Sequence, residues 1–466
     1  MATNRRRFLS GFVTGAGAAL GAASCRTTGL APAAAAAPIA ANAGPPVSSS
    51  VASVAAVAAP SSQADLSTWE AVRGEFLLTR EYIHMALMLL ASHPRPVREA
   101  IERHRRGLDE DPVSYGLSNL GRLEGDVRNA AAAYLGGRPD DVALTGNTTT
   151  GLALLYGGLP LQRGQEIVAT THDHYSTHES LRLRALHTGA SVRKVTLYAA
   201  ASAATEDEIV GNTVKAVGPR TRALAVTWVH SSTGVKLPIR RMADALADLN
   251  RKRDAADRVL LCVDGVHAFG VEDATVDQLG CDFLVAGCHK WLFGPRGTGL
   301  VWGRPEAWKG HAGLIPTFDW AAYKAWMRGE PPDALPPGPR TSPGGFHAFE
   351  HRWALAEAFA FHQRIGKARV AARIHQLAGR CMDGLAGIAN VKVHTPRQST
   401  LSAGIVCFEV ARLSADDVVN RLREKKIIAS ETPYATSYAR LTPGLLNSPE
   451  EVDRAVAAVA GLAKAA

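Results

Sequence analysis

VDGVHAFG (Val263–Gly270), followed by DFLVAG (Asp282–Gly287) and CHKWLFGPRGTG (Cys288–Gly299), decides how the chain reads. Asp264 closes the apolar run RVLLCVD, and Lys290 follows a second apolar run, flanked by His289, Trp291 and Leu292. A short helix-compatible segment separates the two runs. Sites in parallel sheets lie at the carboxyl ends of strands, which is where Asp264 falls. On its own, an Asp there is equally a cap for the next turn. A lysine among apolar groups, ahead of a Gly-rich turn, is less easily read as a surface residue.

Working outward, short β-rich runs alternate with amphipathic segments from about Leu66. The expected strands are Val142–Thr145, Glu166–Thr170, Ser191–Thr196, Arg222–Val229, Arg258–Val263, Asp282–Ala286 and Gly299–Trp302. Helical patterns lie between them at Thr149–Gly157, Thr177–His187, Thr205–Ala216 and Ile239–Arg251. This alternation predicts an α/β fold with a mostly parallel sheet covered on both faces. Pro331–Gly345 is rich in Pro and Gly and reads as a long loop. Beyond it, helical patterns (Phe349–Ile365, Ala368–Leu385), strands near Val391–His394 and Gly404–Glu409, and closing helices (Ala415–Lys425, Pro449–Ala463) predict a smaller α+β domain. The expected division is 1–64, 65–345 and 346–466, with no internal repeats.

Of the 466 residues, 46% are hydrophobic and 20% charged, which suits a large core. The formal charge is +9, and residues 1–64 supply four Arg and no acid, so the remainder carries +5 (9 minus 4). No Lys/Arg block marks a nucleic-acid surface. The charge supports a weak preference for anionic ligands. Six cysteines occur, none in a metal-binding spacing. Cys262, Cys281 and Cys407 lie in or beside apolar runs and read as buried thiols, without a disulfide framework.

The N-terminus reads as an address. Asn4-Arg5-Arg6-Arg7-Phe8-Leu9-Ser10 resembles a twin-arginine export signal, and the Gly/Ala-rich run after it is too short and too weakly apolar to span a membrane. Periplasmic export through the twin-arginine machinery is the expectation, with lipid anchoring at Cys25 as an alternative. Residues 26–64 are Ala/Pro/Ser-rich and read as a tether.

Further segments carry chemistry. TGNTTTG (Thr145–Gly151) follows a strand and opens a helix, a place where N–H groups and hydroxyls hold phosphate. THDHYS (Thr171–Ser176) follows the next strand, and HSSTG (His230–Gly234) follows another. His172, His174 and His178 can be read as a metal cluster, although no partner Glu/His spacing accompanies them. Arg440 precedes LLNSPEEVD (Leu445–Asp453), and an Arg is the best fork for a carboxylate. Lysine in apolar surroundings has a lowered pKa suited to imine formation. An acid at a strand end can keep a pyridine nitrogen protonated. Pyridoxal phosphate needs both groups.

Together these segments resemble fold-type I pyridoxal phosphate enzymes of the class V aminotransferase family, across residues 70–460. HKWLFGPRGTG is most similar to the isopenicillin N epimerase-like branch, itself similar to lyases acting on cysteine-sulfoxide conjugates. The resemblance implies a large domain with a mostly parallel seven-stranded sheet and a smaller C-terminal α+β domain. It makes Lys290 the Schiff-base lysine, Asp264 the partner of the pyridine nitrogen, and His174 the ring-stacking group. It assigns the phosphate to Asn147, Thr148, Thr149 and His289. Ser232 stands where many relatives have Asn, and His267 stands beside the ring oxygen. Thr341 or Ser342 would reach the neighbouring subunit's phosphate across a homodimer, and Arg440 would grip the substrate α-carboxylate. Gly287 departs from relatives that carry Ser there.

The reaction is narrowed, not named. Once an amino acid displaces Lys290, the freed amine becomes the proton carrier. Reprotonation on the other face epimerises, loss of a side-chain substituent is a lyase reaction, and reprotonation on the cofactor transaminates. Cysteine desulfurases of this family need a Cys on the loop before the carboxylate Arg. IIASETPYATSYAR (Ile427–Arg440) has none. The expectation is an epimerase or carbon–sulfur lyase acting on an amino acid or amino-acid thioether. A class V aminotransferase is the alternative. A metal-dependent periplasmic hydrolase built on His172, His174 and His178 is the competing class.

Overall fold

The computed structural model describes residues 64–465, so the twin-arginine stretch, the tether and Cys25 lie outside the described residues. In chain order the strands are β1 (Ile83–His84), β2 (Val142–Thr145), β3 (Glu166–Thr170), β4 (Ser191–Val195), β5 (Thr221–Thr227), β6 (Leu260–Asp264), β7 (Phe283–Gly287), β8 (Gly299–Gly303), β9 (Val391–Val393), β10 (Val406–Val410), β11 (Ile427–Ile428), β12 (Ser430–Glu431) and β13 (Ala439–Leu441).

Seven of these form one sheet in the order β2-β8-β7-β6-β5-β3-β4. β8 runs antiparallel to both neighbours and the other pairs are parallel. The expected mostly parallel seven-stranded sheet is present. The period of two along each strand divides its residues between two apolar layers. Leu144, Val168, Leu224, Leu261 and Leu284 enter one layer, and Ala143, Ile167, Ala223, Cys262 and Phe283 the other. Burial on both faces explains why these strands read as continuous apolar runs. Because β2 and β7 both oppose β8, the carboxyl ends of β2, β3, β5, β6 and β7 share one edge.

The second sheet is antiparallel, in the order β12-β13-β10-β9, with Cys407 opposite Arg440. β1 pairs in parallel with β11. One residue further on, the Met85 carbonyl accepts from Thr442 N (2.7 Å) and Thr442 Oγ1 (2.8 Å). The segment before Arg95 is thereby tied to the strand that bears Arg440.

Two helices went unread in the sequence, Arg95–Glu110 and Pro112–Leu135. The first is dense in Arg and Glu, and the second is interrupted by Gly116, Gly121 and Gly125. Asp111 separates them: its side chain accepts from Ser114 N (3.1 Å) and Pro112 occupies the first helical position. Both pack against the helix Phe349–Ile365. The expected loop Pro331–Gly345 contains a buried turn of helix, Pro337–Thr341. A Cβ on its Gly338 would lie 2.4 Å from the Val142 carbonyl oxygen, so glycine allows this turn to press on β2. Among the described residues no helix is long and apolar enough to cross a membrane. The cysteines among them are free and buried.

Candidate active site

A cavity of about 510 Å³ opens at the shared carboxyl edge of the large sheet. Asn147, Thr148, Thr149, His174, Asp264, His267, His289, Lys290 and Arg440 all line it. Residues spread over some 300 positions of chain therefore meet in one place.

Asp264 is the last residue of β6 and is 1% exposed. Its Oδ1 accepts from Val266 N at 3.1 Å. Burial pushes its carboxyl up to about 7, against the pull of the Val266 N–H and of Lys290. A cation set against this carboxylate, such as a protonated ring nitrogen, holds it ionised.

Lys290 sits on a tight turn beyond β7. Phe293 N donates to the Lys290 carbonyl (3.0 Å) and Gly294 N to that of Cys288 (2.8 Å). Phe293 adopts φ 60°, which costs a non-glycine residue roughly 1–2 kcal/mol. Its ring is 3% exposed and edge-on to Phe76 at 4.9 Å, and that burial offsets the strain. Trp291 anchors the other side: a Cβ on Gly404 would lie 2.6 Å from its ring. Both neighbours of the lysine turn are thus fixed by packing. Burial pulls the Lys290 amine down to about 8, Asp264 opposes that shift, and Arg440 adds to it.

The anion cradle is the start of the helix Thr148–Gly158. Asn147 Oδ1 caps it, accepting from Thr150 N (2.9 Å) and Thr150 Oγ1 (3.2 Å), and this leaves the first N–H groups facing the cavity. A Cβ on Gly287 would lie 2.7 Å from Thr148 Oγ1 and 3.0 Å from His289 Cε1. The glycine at this position makes room for the Thr148 hydroxyl. Thr148 Oγ1, His289 Nδ1 and His267 Nδ1 are buried without a partner among the described residues. Buried polar atoms are seldom left so, and here three of them line one cavity. A phosphate beside a polar ring satisfies them, so the residues present fit pyridoxal phosphate.

Arg440, on β13, is 2% exposed. Its Nη1 donates to the Ser231 carbonyl (2.9 Å), Nη2 to the Glu431 carbonyl (2.6 Å) and Nε to Ser430 Oγ (3.2 Å). One N–H on each terminal nitrogen remains, and no acid pairs with the charge among the described residues. His174 caps its own helix, its Nδ1 accepting from Ser176 N (3.2 Å), and its ring opens onto the cavity. Burial, Lys290 and Arg440 pull its pKa down.

Three placements differ from expectation. Ser231, not Ser232, lines the cavity; the Ser232 hydroxyl turns away to the His172 carbonyl (3.4 Å). The strand ends two residues earlier than expected, at Thr227, and Ser231 and Ser232 lie on the turn that follows. Thr341 is 2% exposed, and Ser342 Oγ bonds Gly338 O (3.0 Å) and Leu144 N (2.9 Å), so neither side chain is presented to a neighbouring subunit. His172, His174 and His178 do not converge: His172 stacks on Tyr198 at 4.2 Å while His174 faces the Lys290 cavity. Among the described residues no group of three or more His, Cys, Asp or Glu is placed to hold a metal.

Other lining groups were missed. Met88, Leu89 and Leu90 form part of the wall, although nothing in their own sequence marks them. Arg296 adds a cation, and GPRG did carry that signal. Asp173 lies just behind the site, accepting from Thr170 N (2.7 Å) and Thr227 N (2.8 Å), and so locks the ends of β3 and β5 together. Burial pushes it up to about 6. Tyr434 closes one side, its hydroxyl 2.7 Å from Ser231 Oγ.

Solved structures share this fold. A complex of the cystine C-S lyase C-DES with its product cysteine persulfide superposes with a TM-score of 0.73 at 22% identity, covering 82% of this chain and 98% of that one. The apo cysteine desulfurase from Thermococcus onnurineus NA1 gives 0.72 at 22%, over 87% and 100%. The protein has the fold-type I architecture. Residues 118–432 match the family aminotransferase class-V, and the chain belongs to it. It is a pyridoxal phosphate-dependent enzyme. It is similar to isopenicillin N epimerase of Streptomyces clavuligerus, 28% identical over 409 residues, 84% of this chain and 97% of that protein. It is also similar to a cysteine desulfurase of Klebsiella pneumoniae subsp. pneumoniae, 28% identical over 429 residues, 85% and 98%.

Proposed function

We propose that the protein removes the Cα proton of an amino acid or amino-acid thioether and acts as an epimerase or a carbon–sulfur lyase. The observation that carries this is the company Lys290 keeps: Asp264, Arg440 and, among the described residues, no cysteine in one cavity. Bound pyridoxal phosphate supplies the electron sink for negative charge at Cα. Lys290, pulled down to about 8, is suited to take and return a proton near neutral pH. The two remaining N–H groups of Arg440 match a carboxylate, which would also compensate its buried charge. Asp264 would hold the ring nitrogen and His174 would stack on the ring. Thr148, Thr149 and His289 would hold the phosphate.

The loop over the site, Thr432–Ala439, has no cysteine to receive sulfur. This weighs against desulfurase chemistry through a loop thiol, despite the desulfurase relatives. The test is incubation of the holoenzyme with candidate amino acids in deuterium oxide. Uptake of deuterium at Cα is expected, with inverted product for an epimerase or released thiol and keto acid for a lyase. Stoichiometric transfer of the amino group to the cofactor would overturn this reading in favour of an aminotransferase.

The same proposal includes a homodimer and export. Leu314, Phe318, Trp320, Trp326 and Met327 are exposed along one segment, and apolar surface concentrated in this way usually meets a partner. Light scattering should give twice the chain mass, and a monomer would contradict it. Arg5→Lys with Arg6→Lys should retain the protein in the cytoplasm.

A further inference from the structure

Behind the wall of the Lys290 cavity lies a second, larger one of about 1050 Å³. The partition is one residue thick in three places. His174 and Ser231 face the first cavity, their neighbours Tyr175 and Ser232 face the second, and Pro433 lines both. The hydrogen bond between Tyr434 and Ser231 Oγ closes the partition where these segments meet, and the Tyr434 ring stands edge-on to His174 (6.4 Å). A single side-chain hydrogen bond contributes only about 1 kcal/mol, a small barrier to a bound group that replaces it.

The second cavity has a definite polarity. His172 Nε2 and His178 Nδ1 are buried without partners among the described residues. Burial pulls both imidazoles down to about 4, so at neutral pH they are uncharged hydrogen-bonding groups. Arg182 is committed to Glu179 at 2.6 Å. Lys194 lines the same cavity and has no ion-pair partner among the described residues. The carboxylates lining the same cavity are committed, Asp173 to Thr170 N and Thr227 N and Glu179 to Arg182, which leaves unpartnered imidazole nitrogens and the Lys194 cation to meet an anion. Cavities of roughly 300–1,000 Å³ hold drug-sized ligands, so the two spaces together exceed what a short amino acid fills.

We infer that the substrate is an amino acid whose long side chain ends in a carboxylate, passing beside Tyr434 so that this tail meets Lys194 in the second cavity. The inference rests on the proposed function for the α-amino acid end and adds the distal end. The test uses calorimetry on the holoenzyme with α-amino dicarboxylic acids of increasing length, from aspartate to 2-aminosuberate, each beside its ω-amide. Affinity should rise with length for the acids and not for the amides. Lys194→Glu should weaken the long acids by ~3- to 10-fold, the scale of an exposed ion pair, and leave alanine binding unchanged. Ala190→Trp, which fills the second cavity, should exclude the long acids alone. Equal affinity along the series, or long acids unaffected by both variants, overturns the subsite and leaves the proposed reaction standing. A length preference without Cα deuterium exchange overturns the reaction and leaves the subsite.

Discussion

The two walls of the Lys290 cavity are built on different principles. One wall is the carboxyl edge of the large sheet: Asp264 ends β6, Lys290 follows β7, and the Thr148 helix follows β2. Its groups are held by short-range backbone bonds, such as Val266 N to Asp264 and Thr150 N to Asn147. The other wall is Ser231 with the segment Ser430–Arg440, held by side-chain bonds between residues about 200 positions apart. In the proposed function the first wall would serve the cofactor and the second the substrate. Chemistry common to a family belongs on the rigid wall, while choice of substrate belongs on the one assembled from distant pieces.

The largest test of this division is Lys290→Ala. Loss of the amine should lower turnover by at least about a thousandfold, within the range for a positioned acid–base group, with circular dichroism unchanged. Next is Arg440→Ala, which should weaken amino-acid binding by ~30- to 1000-fold, the scale of a lost buried charge pair. Cofactor affinity should stay within a few fold. Arg440→Lys should restore part of the binding. If Arg440→Ala expels the cofactor instead, the two walls are one unit and the comparison breaks.

A pH effect sharpens the first wall. Folding raises the Asp264 pKa from 3.8 to about 7, so the folded chain holds this proton more tightly than the unfolded one. The resulting stability is full below about pH 4, is lost as pH rises toward 7, and is lowest above that. The slope is up to ~1.4 kcal/mol per pH unit. Urea unfolding of cofactor-free protein between pH 4 and 8 should show this loss in the wild type, and less of it in Asp264→Asn. The smallest effect is Thr148→Val, which removes one donor to the phosphate. It should weaken pyridoxal phosphate about tenfold, the scale of one hydrogen bond to a charged group, without altering amino-acid selectivity.

The same division explains what the sequence revealed. β2, β3 and β5 to β8 were legible because strands buried on both faces read as unbroken apolar runs, and Asp264 and Lys290 were legible because they end or follow such runs. Ser231 was missed because it lies on the turn after β5, where strand alternation no longer sets which side chain faces inward. Tyr434, Met88 and Asp173 were missed because their roles arise only when distant segments meet. Thr341 and Ser342 looked like a free loop because the Pro/Gly composition hid a buried helical turn.

The central claim is that Lys290 holds pyridoxal phosphate covalently. Its most direct test is borohydride treatment of the purified protein, followed by peptide mass spectrometry. A visible absorption band that borohydride abolishes is expected, with the reduced cofactor's mass fixed on the peptide containing Lys290. A colourless protein that gains no band with added pyridoxal phosphate, or a mass fixed on another lysine, would contradict it.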